Sequence, residues 1–123
     1  MDKSDRVKTA VRGEIYLVNF DSTVGAEIQK TRPALIIQND ISNRHSPITI
    51  VSAITSTFDE KLYPTEVLIA ANEGGLKIDS VVLLNQIRSI DGKRLIRHLG
   101  KISGKTLKKV DTALKISLGL IDI

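Results

Sequence analysis

The sequence predicts a mainly β domain, in which a compact, curved antiparallel sheet or small barrel is followed by one C-terminal helix. Five apolar segments bounded by turn-forming residues have the length and alternation of strands. From about residue 103 the apolar spacing changes from that of a strand to that of a helix. The chain has 123 residues and no internal repeat or linker, which indicates one domain. We assign residues 1–12 to a polar lead-in and residues 13–123 to this single domain.

The predicted strands end at clusters of Gly, Pro, Asn, Asp or Ser, which favour turns. The second strand is apolar on both faces, and this is typical of a central position in a sheet. The segments on either side of it, residues 21–31 and 39–47, are polar and rich in turn formers, so we predict loops there. The five strands are predicted at residues 13–20, 33–38, 48–54, 65–70 and 80–90.

The C-terminal helix is predicted from four apolar residues at helical spacing, Leu107, Val110, Leu114 and Leu118. Ser103 is suited to the N-cap position, and the helix would have about four turns. Its lysines are typical of a solvated helix face, although they could also form a surface for nucleic acid.

The composition limits the classes of function. A net charge of +4 and a pI near 9.5 are compatible with a polyanionic partner such as nucleic acid, although many soluble proteins carry a similar surplus. The absence of cysteine excludes disulfides and thiolate metal sites. The polar N-terminus lacks the apolar stretch of a signal peptide, and no apolar run reaches membrane-spanning length. We therefore expect a cytoplasmic protein that does not contact a membrane.

An arginine directly precedes a proline at the start of the second predicted strand, as Arg32-Pro33. Proline pushes the preceding residue towards an extended backbone, which restricts the direction in which the arginine leaves the sheet. We also expect the second and third strands to be antiparallel neighbours. With the intervening loop centred near residue 43 or 44, Arg32 would then lie opposite Thr55.

A guanidinium beside a hydroxyl suits the chemistry of RNA cleavage. When a ribose 2′-hydroxyl attacks its own phosphate, negative charge develops on the phosphoryl oxygens, and a positioned arginine can stabilise that charge. The structural alternative is a salt bridge between Arg32 and Glu27 and a turn capped by Thr55. On spacing alone, this structural alternative is favoured.

Other catalytic patterns are weaker. His45 and His98 could be the acid and base of a ribonuclease, but one lies in a turn-rich segment and the other in the basic stretch KRLIRHL. We expect both on the surface. The carboxylates do not cluster as a two-metal nuclease requires, and the histidine spacing fits no metal site. The sequence predicts neither a metal nor a cofactor.

Several blocks together resemble the MazF/PemK toxin family: GEIYLVNF, VGAEIQKTRPALIIQND, NRHSPITIVSAIT, SVVLLNQIRSID and a helix ending in SLGLIDI. The resemblance extends from about residue 13 to the C-terminus, and TRPALIIQND and QIRSID are its most specific parts. It implies an SH3-like sheet, a homodimer, and a sequence-specific mRNA interferase that cuts single-stranded RNA without metal. The implied products carry 2′,3′-cyclic phosphate and 5′-hydroxyl ends, and the implied inhibitor is a MazE-type antitoxin.

The resemblance places the catalytic arginine and threonine of the family at Arg32 and Thr55, which reverses the preference for a structural role. The resemblance also implies that Glu27 helps to orient the site, that Gln86 and Arg88 lie near the RNA groove, and that Asn39 and Asn43 contact bases. Two alternatives stay open. A CcdB-like toxin, which resembles this fold, poisons DNA gyrase without cutting RNA, and a small basic barrel could bind RNA without chemistry.

Overall fold

The computed structural model describes residues 9–20 and 31–123. Within these residues, six strands form one antiparallel sheet in the order β4-β5-β3-β2-β1-β6. Helix α1 (Asp40–His45) connects β2 to β3, and helix α2 (Gly104–Ser117) follows β6. The predicted class, an antiparallel sheet followed by a C-terminal helix, is confirmed. The strands are β1 (Glu14–Asn19), β2 (Thr31–Ile36), β3 (Ile48–Thr55), β4 (Glu66–Ile69), β5 (Ser80–Asp91) and β6 (Leu95–Lys101).

Strand β6 corrects the predicted number of strands from five to six. It lies at the edge of the sheet and pairs only with β1 among the described strands. No residue of β6 is fully buried, so its sequence, LIRHLGK, lacks the apolar alternation of a strand that covers a core. An edge strand rich in basic residues also discourages pairing with another sheet.

Residues 39–47 contain a short helix where the sequence predicts a loop. The side chain of Asn39 caps α1 by accepting a hydrogen bond from the Ser42 N–H at 2.8 Å. Asn, Asp and Ser favour helix N-termini as well as turns, so their abundance did not distinguish the two structures.

Helix α2 begins as predicted, because the hydroxyl of its N-cap Ser103 accepts a hydrogen bond from the Thr106 N–H at 3.1 Å. Val110 and Ala113 of the helix are buried against the sheet. Among the described residues, no helix is long and apolar enough to cross a membrane.

Two clusters of buried side chains lie on the two faces of the sheet. The helix-side core is formed with α2 and includes Ile15 and Leu35. The opposite-face core includes Val18, Ala34 and Val51. Because side chains alternate between faces along a strand, every second residue of β2 and β3 belongs to the face of the opposite-face core. Polar side chains of β2 and β3 can therefore contact each other only when they lie on the same face of the sheet.

Candidate active site

The hairpin formed by β2 and β3 brings the two sequence-predicted catalytic residues to the same end of the sheet. Its register opposes Ala34 to Ala53, which confirms both the predicted pairing and the predicted register. The pairing ends at Ala34 and Ala53, and Arg32 and Thr55 each lie two residues beyond this last pair, at the same end of the hairpin. Both side chains belong to the face of the opposite-face core, since Ala34 lies two residues from Arg32 and Val51 four residues from Thr55.

Arg32 and Thr55 line one open cleft of about 320 Å³. A larger cleft of about 720 Å³ lies between β4 and α2, but none of the sequence-predicted site residues lines it. The smaller cleft therefore carries the candidate chemistry. Its other lining residues come from the strand ends and from the segment before β5: Pro33, Ile54, Ser56, Thr57, Leu76, Lys77, Ile78 and Ser80.

The Arg32 side chain is exposed at the cleft. Among the residues that the structure describes, none forms a hydrogen bond or salt bridge with its guanidinium. The sequence predicted that Pro33 would be the first residue of this strand. In the structure it is the third residue of β2. The paired register with β3 begins only at Ala34, so proline costs no hydrogen bond of that ladder.

The hydroxyl of Thr55 is fixed by the turn that follows β3. Its Oγ1 accepts a hydrogen bond from the Thr57 N–H at 3.1 Å and donates one to the Thr57 carbonyl oxygen at 3.3 Å. Thr55 therefore caps a turn, as the structural alternative supposed, and also lines the cleft. The turn orients the hydroxyl without burying it.

Arg88 lies on the same face, further along the sheet. It pairs with Val51 of the opposite-face core, four residues and hence roughly 13 Å from Thr55. Its guanidinium carbon lies 5.2 Å from the centre of the Phe20 ring, and its Nη1 lies 3.5 Å from the Phe20 carbonyl oxygen. A cation over an aromatic face is attracted to it, so the Phe20 ring helps to orient Arg88. Gln86, two residues earlier, is exposed.

Asn39 and Asn43 lie at the other end of the β2–β3 hairpin, in and beside α1. Asn43 is only 8% exposed, and its amide is fully hydrogen-bonded within the fold. Its oxygen accepts from Gln38 Nε2 and Thr49 Oγ1, each at 2.8 Å, and its nitrogen donates to the Gln38 carbonyl and to Asp40 Oδ1 at 3.0 and 3.2 Å. An asparagine amide has two donor hydrogens and two acceptor sites. This geometry leaves Asn43 nothing to offer a base.

Glu27 lies outside the described residues, so its predicted role in orienting the site stays a prediction. The two histidines do not line the cleft. His45 is exposed at the end of α1, and His98 lies on β6 with its Nε2 3.2 Å from Glu14 Oε2. The ring of His98 also meets Tyr16 edge-on at 5.3 Å between centroids.

The Glu14 carboxylate organises the small cluster around His98. Burial raises the pKa of the Tyr16 phenol, and the charge and hydrogen bond of Glu14 raise it further. Glu14 Oε1 also accepts from the Val11 N–H at 2.7 Å. The carboxylate thus serves the packing between β1 and β6.

Among residues 9–20 and 31–123, no group of three or more His, Asp or Glu side chains could hold a metal ion. The sequence reasoning missed Lys77 and Ile78, which form a wall of the cleft. They belong to no motif, and only the position of their segment directly before β5 could have indicated them.

Comparisons with known proteins agree with this geometry. Residues 11–118 match the family described as "PemK-like, MazF-like toxin of type II toxin-antitoxin system". The protein "Endoribonuclease EndoA" of Bacillus subtilis (strain 168) is 47% identical over 111 residues, which cover 90% of this chain and 96% of the relative.

Two solved structures illustrate the similarity of fold. One is a MazE-MazF complex (Form-II) from Deinococcus radiodurans, with a TM-score of 0.77, 27% identity, and coverage of 92% of this chain and 98% of the other. The second is an endoribonuclease in complex with its cognate antitoxin from Mycobacterial species, with a TM-score of 0.76 and 27% identity. It covers 93% of this chain and 99% of the other.

Proposed function

The chain belongs to the family of PemK-like, MazF-like toxins of type II toxin–antitoxin systems and is an endoribonuclease toxin of this type, and we propose that it cleaves single-stranded mRNA with Arg32 and Thr55. The observation that carries this assignment is the cleft that both side chains line. The proposed place of action is the cytoplasm, where a toxin meets mRNA.

The proposed reaction is attack of a ribose 2′-oxygen on the adjacent phosphorus. The O2′–P bond forms and the P–O5′ bond breaks, which gives one end with a 2′,3′-cyclic phosphate and one with a 5′-hydroxyl. The 2′-hydroxyl loses its proton and the 5′-oxygen gains one, so atoms and charge balance without a metal or a water molecule. The Arg32 guanidinium, exposed and without a partner among the described residues, is available to the phosphoryl oxygens as their charge increases.

Thr55 has the second role in this proposal. Its hydroxyl accepts from the Thr57 N–H, and in this proposal its proton turns from the Thr57 carbonyl to a phosphoryl oxygen or is relayed between oxygens. The exposed Arg88 and Gln86 would hold the RNA where it continues along the sheet. Asn43 is left out because its amide is fully used inside the protein, and Asn39 is left to its role as the cap of α1.

The proposed inhibitor is a MazE-type antitoxin with an acidic segment that covers the cleft. Carboxylates could occupy the positions of RNA phosphates near Arg32, and a segment that folds as it binds would bury a long surface. The net charge of +4 favours such a partner. An antitoxin complex in which Arg32 and Thr55 both remain open to RNA would contradict occlusion.

A homodimer is proposed from the apolar C-terminal end. Leu118, Leu120 and Ile123 are 58%, 68% and 88% exposed, which is typical of a surface that another chain covers. Sedimentation should give twice the mass of the chain at micromolar concentration. A monomer under these conditions would count against the dimer.

The proposed activity is tested by incubating a long transcript with the purified protein and analysing the new ends. We expect 5′-hydroxyl ends and 2′,3′-cyclic phosphates at a restricted set of sequences. Ends that carry a 5′-phosphate would contradict the attack by the 2′-hydroxyl. Binding of RNA without cleavage would favour a non-catalytic barrel, whereas inhibition of gyrase with intact RNA would favour a CcdB-like toxin.

A further inference from the structure

We propose that Lys77 and Ile78 are RNA-binding residues of the cleft, with Lys77 contacting a phosphate beside the scissile one and Ile78 packing against a neighbouring base. This inference rests on the proposed function, and it adds to it the residues that hold the substrate next to Arg32. Both residues line the same cleft of about 320 Å³ as Arg32 and Thr55.

The segment that carries the two residues is anchored on both sides. Leu76, just before it, is 6% exposed and belongs to the helix-side core, and Ser80, just after it, is 4% exposed in β5. Within the segment, the Ser80 hydroxyl donates to the Ile78 carbonyl at 3.0 Å, and Asp79 Oδ1 accepts from the Ala71 N–H at 2.8 Å. Lys77 and Ile78 are therefore held at the cleft by their neighbours.

The turn before this segment is fixed by close backbone contact with β6. Gly75 has a φ of +82°, and a Cβ atom placed on it would clash with the Leu99 carbonyl oxygen. Only glycine fits a backbone conformation and an approach of this kind. The wall of the cleft is thus connected to the sheet on both sides, which favours a preformed binding surface over an adaptable loop.

Lys77 brings a second cation to the cleft. It is exposed, and no acidic side chain within the described part of the chain forms an ion pair with it. Two cations that line one cleft suit two successive phosphates of a single strand, and Lys is well suited to binding phosphate as a compact charge. Since the proposed function gives the scissile phosphate to Arg32 and Thr55, we assign the neighbouring phosphate to Lys77, which lines the same cleft.

Ile78 is the apolar member of the pair. It is 59% exposed although its neighbours Leu76 and Ser80 are buried. A lone exposed isoleucine needs no explanation by itself, but this one lines a cleft whose other apolar residues, Pro33, Ile54 and Leu76, are buried or half-buried. An apolar side chain at that place can cover the face of an unstacked base, as single-stranded RNA offers it.

The contribution of Lys77 is tested by binding, with Lys105→Gln as the matched control because Lys105 is exposed on α2 and does not line the cleft. The probe is a labelled oligonucleotide that spans a mapped cleavage site and carries a 2′-O-methyl group at the reacting ribose, so that it binds without being cut. For Lys77→Gln we expect about 3–10-fold weaker binding, and a salt dependence reduced by about 0.7 in the slope of log K against log salt. Equal affinity and slope in the two variants would overturn the inference.

The contribution of Ile78 is tested by mapping cleavage sites on a long transcript. Ile78→Ser should change the preferred bases next to the cut, whereas Ile78→Val, which keeps an apolar surface, should not. Identical sites for both variants and the wild type would contradict the role of Ile78.

Failure of this inference can be separated from failure of the proposed function. If Arg32→Ala stops cleavage while Lys77→Gln binds like Lys105→Gln, only the role of Lys77 is wrong. If Arg32→Ala cuts at the full rate, the proposed catalytic site is wrong, and the binding of the uncut probe still decides the role of Lys77.

Discussion

Replacing Asn43 by alanine should destabilise the fold and leave the chemistry of RNA cleavage unchanged. The family resemblance implies that Asn43 contacts a base, whereas the structure gives its amide four internal hydrogen bonds. Asn43 joins the end of β2 to α1 and β3, because its partners are Gln38, Asp40 and Thr49. The substitution therefore distinguishes an internal connector from a residue that reads RNA.

The expected loss of stability follows from the groups that alanine leaves behind. Thr49 is 4% exposed, and its hydroxyl would lose the partner at 2.8 Å. An unsatisfied buried polar group such as the Thr49 hydroxyl costs about 1–3 kcal/mol of folding stability. Gln38 and Asp40 are only half-buried, so water can replace part of the hydrogen bonds that they lose with the Asn43 amide. We expect the free energy of unfolding to fall by about 2–3 kcal/mol.

The assay is urea unfolding at one fixed protein concentration, since association would make the apparent stability depend on concentration. Asn39→Ala is the matched control, because it removes the cap of α1 and should cost only about 1 kcal/mol. Below the unfolding transition, both variants should cleave a transcript with the wild-type kcat and KM.

The opposite pattern would refute this reasoning. If Asn43→Ala unfolds at the wild-type urea concentration but has a raised KM for RNA, its side chain contacts the substrate. The Asn43 amide would then not form these four internal hydrogen bonds in solution.

Three further predictions concern acid stability, the histidines and metal. A hydrogen bond from the Arg12 N–H, the largest influence, holds the pKa of Asp40 below its ordinary value of 3.8. The ionised Asp40 carboxylate therefore stabilises the fold above pH 3.8, and this stabilisation is lost as the pH falls through the lower folded-state pKa. The urea midpoint of Asp40→Asn should consequently change less between neutral and acidic pH than that of the wild type. Equal changes in the two proteins would contradict this prediction. His45→Ala and His98→Ala should keep the wild-type turnover, and an inactive histidine variant beside an active Arg32→Ala would favour a histidine-based ribonuclease. A chelator should leave the cleavage rate unchanged, and activity that is lost in chelator and restored by added metal would contradict the proposed chemistry.

The parts of the fold that bury apolar side chains could be predicted from the sequence. Strand β3 and helix α2 lie within one or two residues of their predicted positions, since their buried faces impose an apolar period of two or of 3.6 residues. The register that opposes Ala34 to Ala53 followed from the length of the intervening segment, although that segment contains a helix and is not only a loop.

The sequence could not indicate β6 or the wall of the cleft, for two different physical reasons. β6 is held by backbone hydrogen bonds to β1 at the sheet edge and buries few side chains, so its sequence carries little periodicity. Lys77 and Ile78 reach the cleft because Gly75 packs closely against Leu99. Such a contact depends on distant parts of the chain, and no local pattern of residues reports it.

The burial of Asn43 was also outside the reach of the sequence. An asparagine in a polar segment between two strands is normally exposed, and its position in a family motif suggested a contact with RNA. The short helix α1 turns it inward, towards Gln38 and Thr49. The internal hydrogen bonds of Asn43 connect β2 with α1 and β3.

The central claim is that the guanidinium of Arg32 stabilises the transition state of RNA cleavage beside the hydroxyl of Thr55. The most direct test is the single-turnover cleavage rate of Arg32→Ala at saturating protein. We expect a rate at least ~10²–10³-fold below that of the wild type, with an unchanged urea midpoint because the side chain is exposed and has no partner among the described residues. Arg32→Lys should recover only part of the rate, since a point charge does not reproduce the planar donors. A rate for Arg32→Ala within a few-fold of the wild type would contradict the claim.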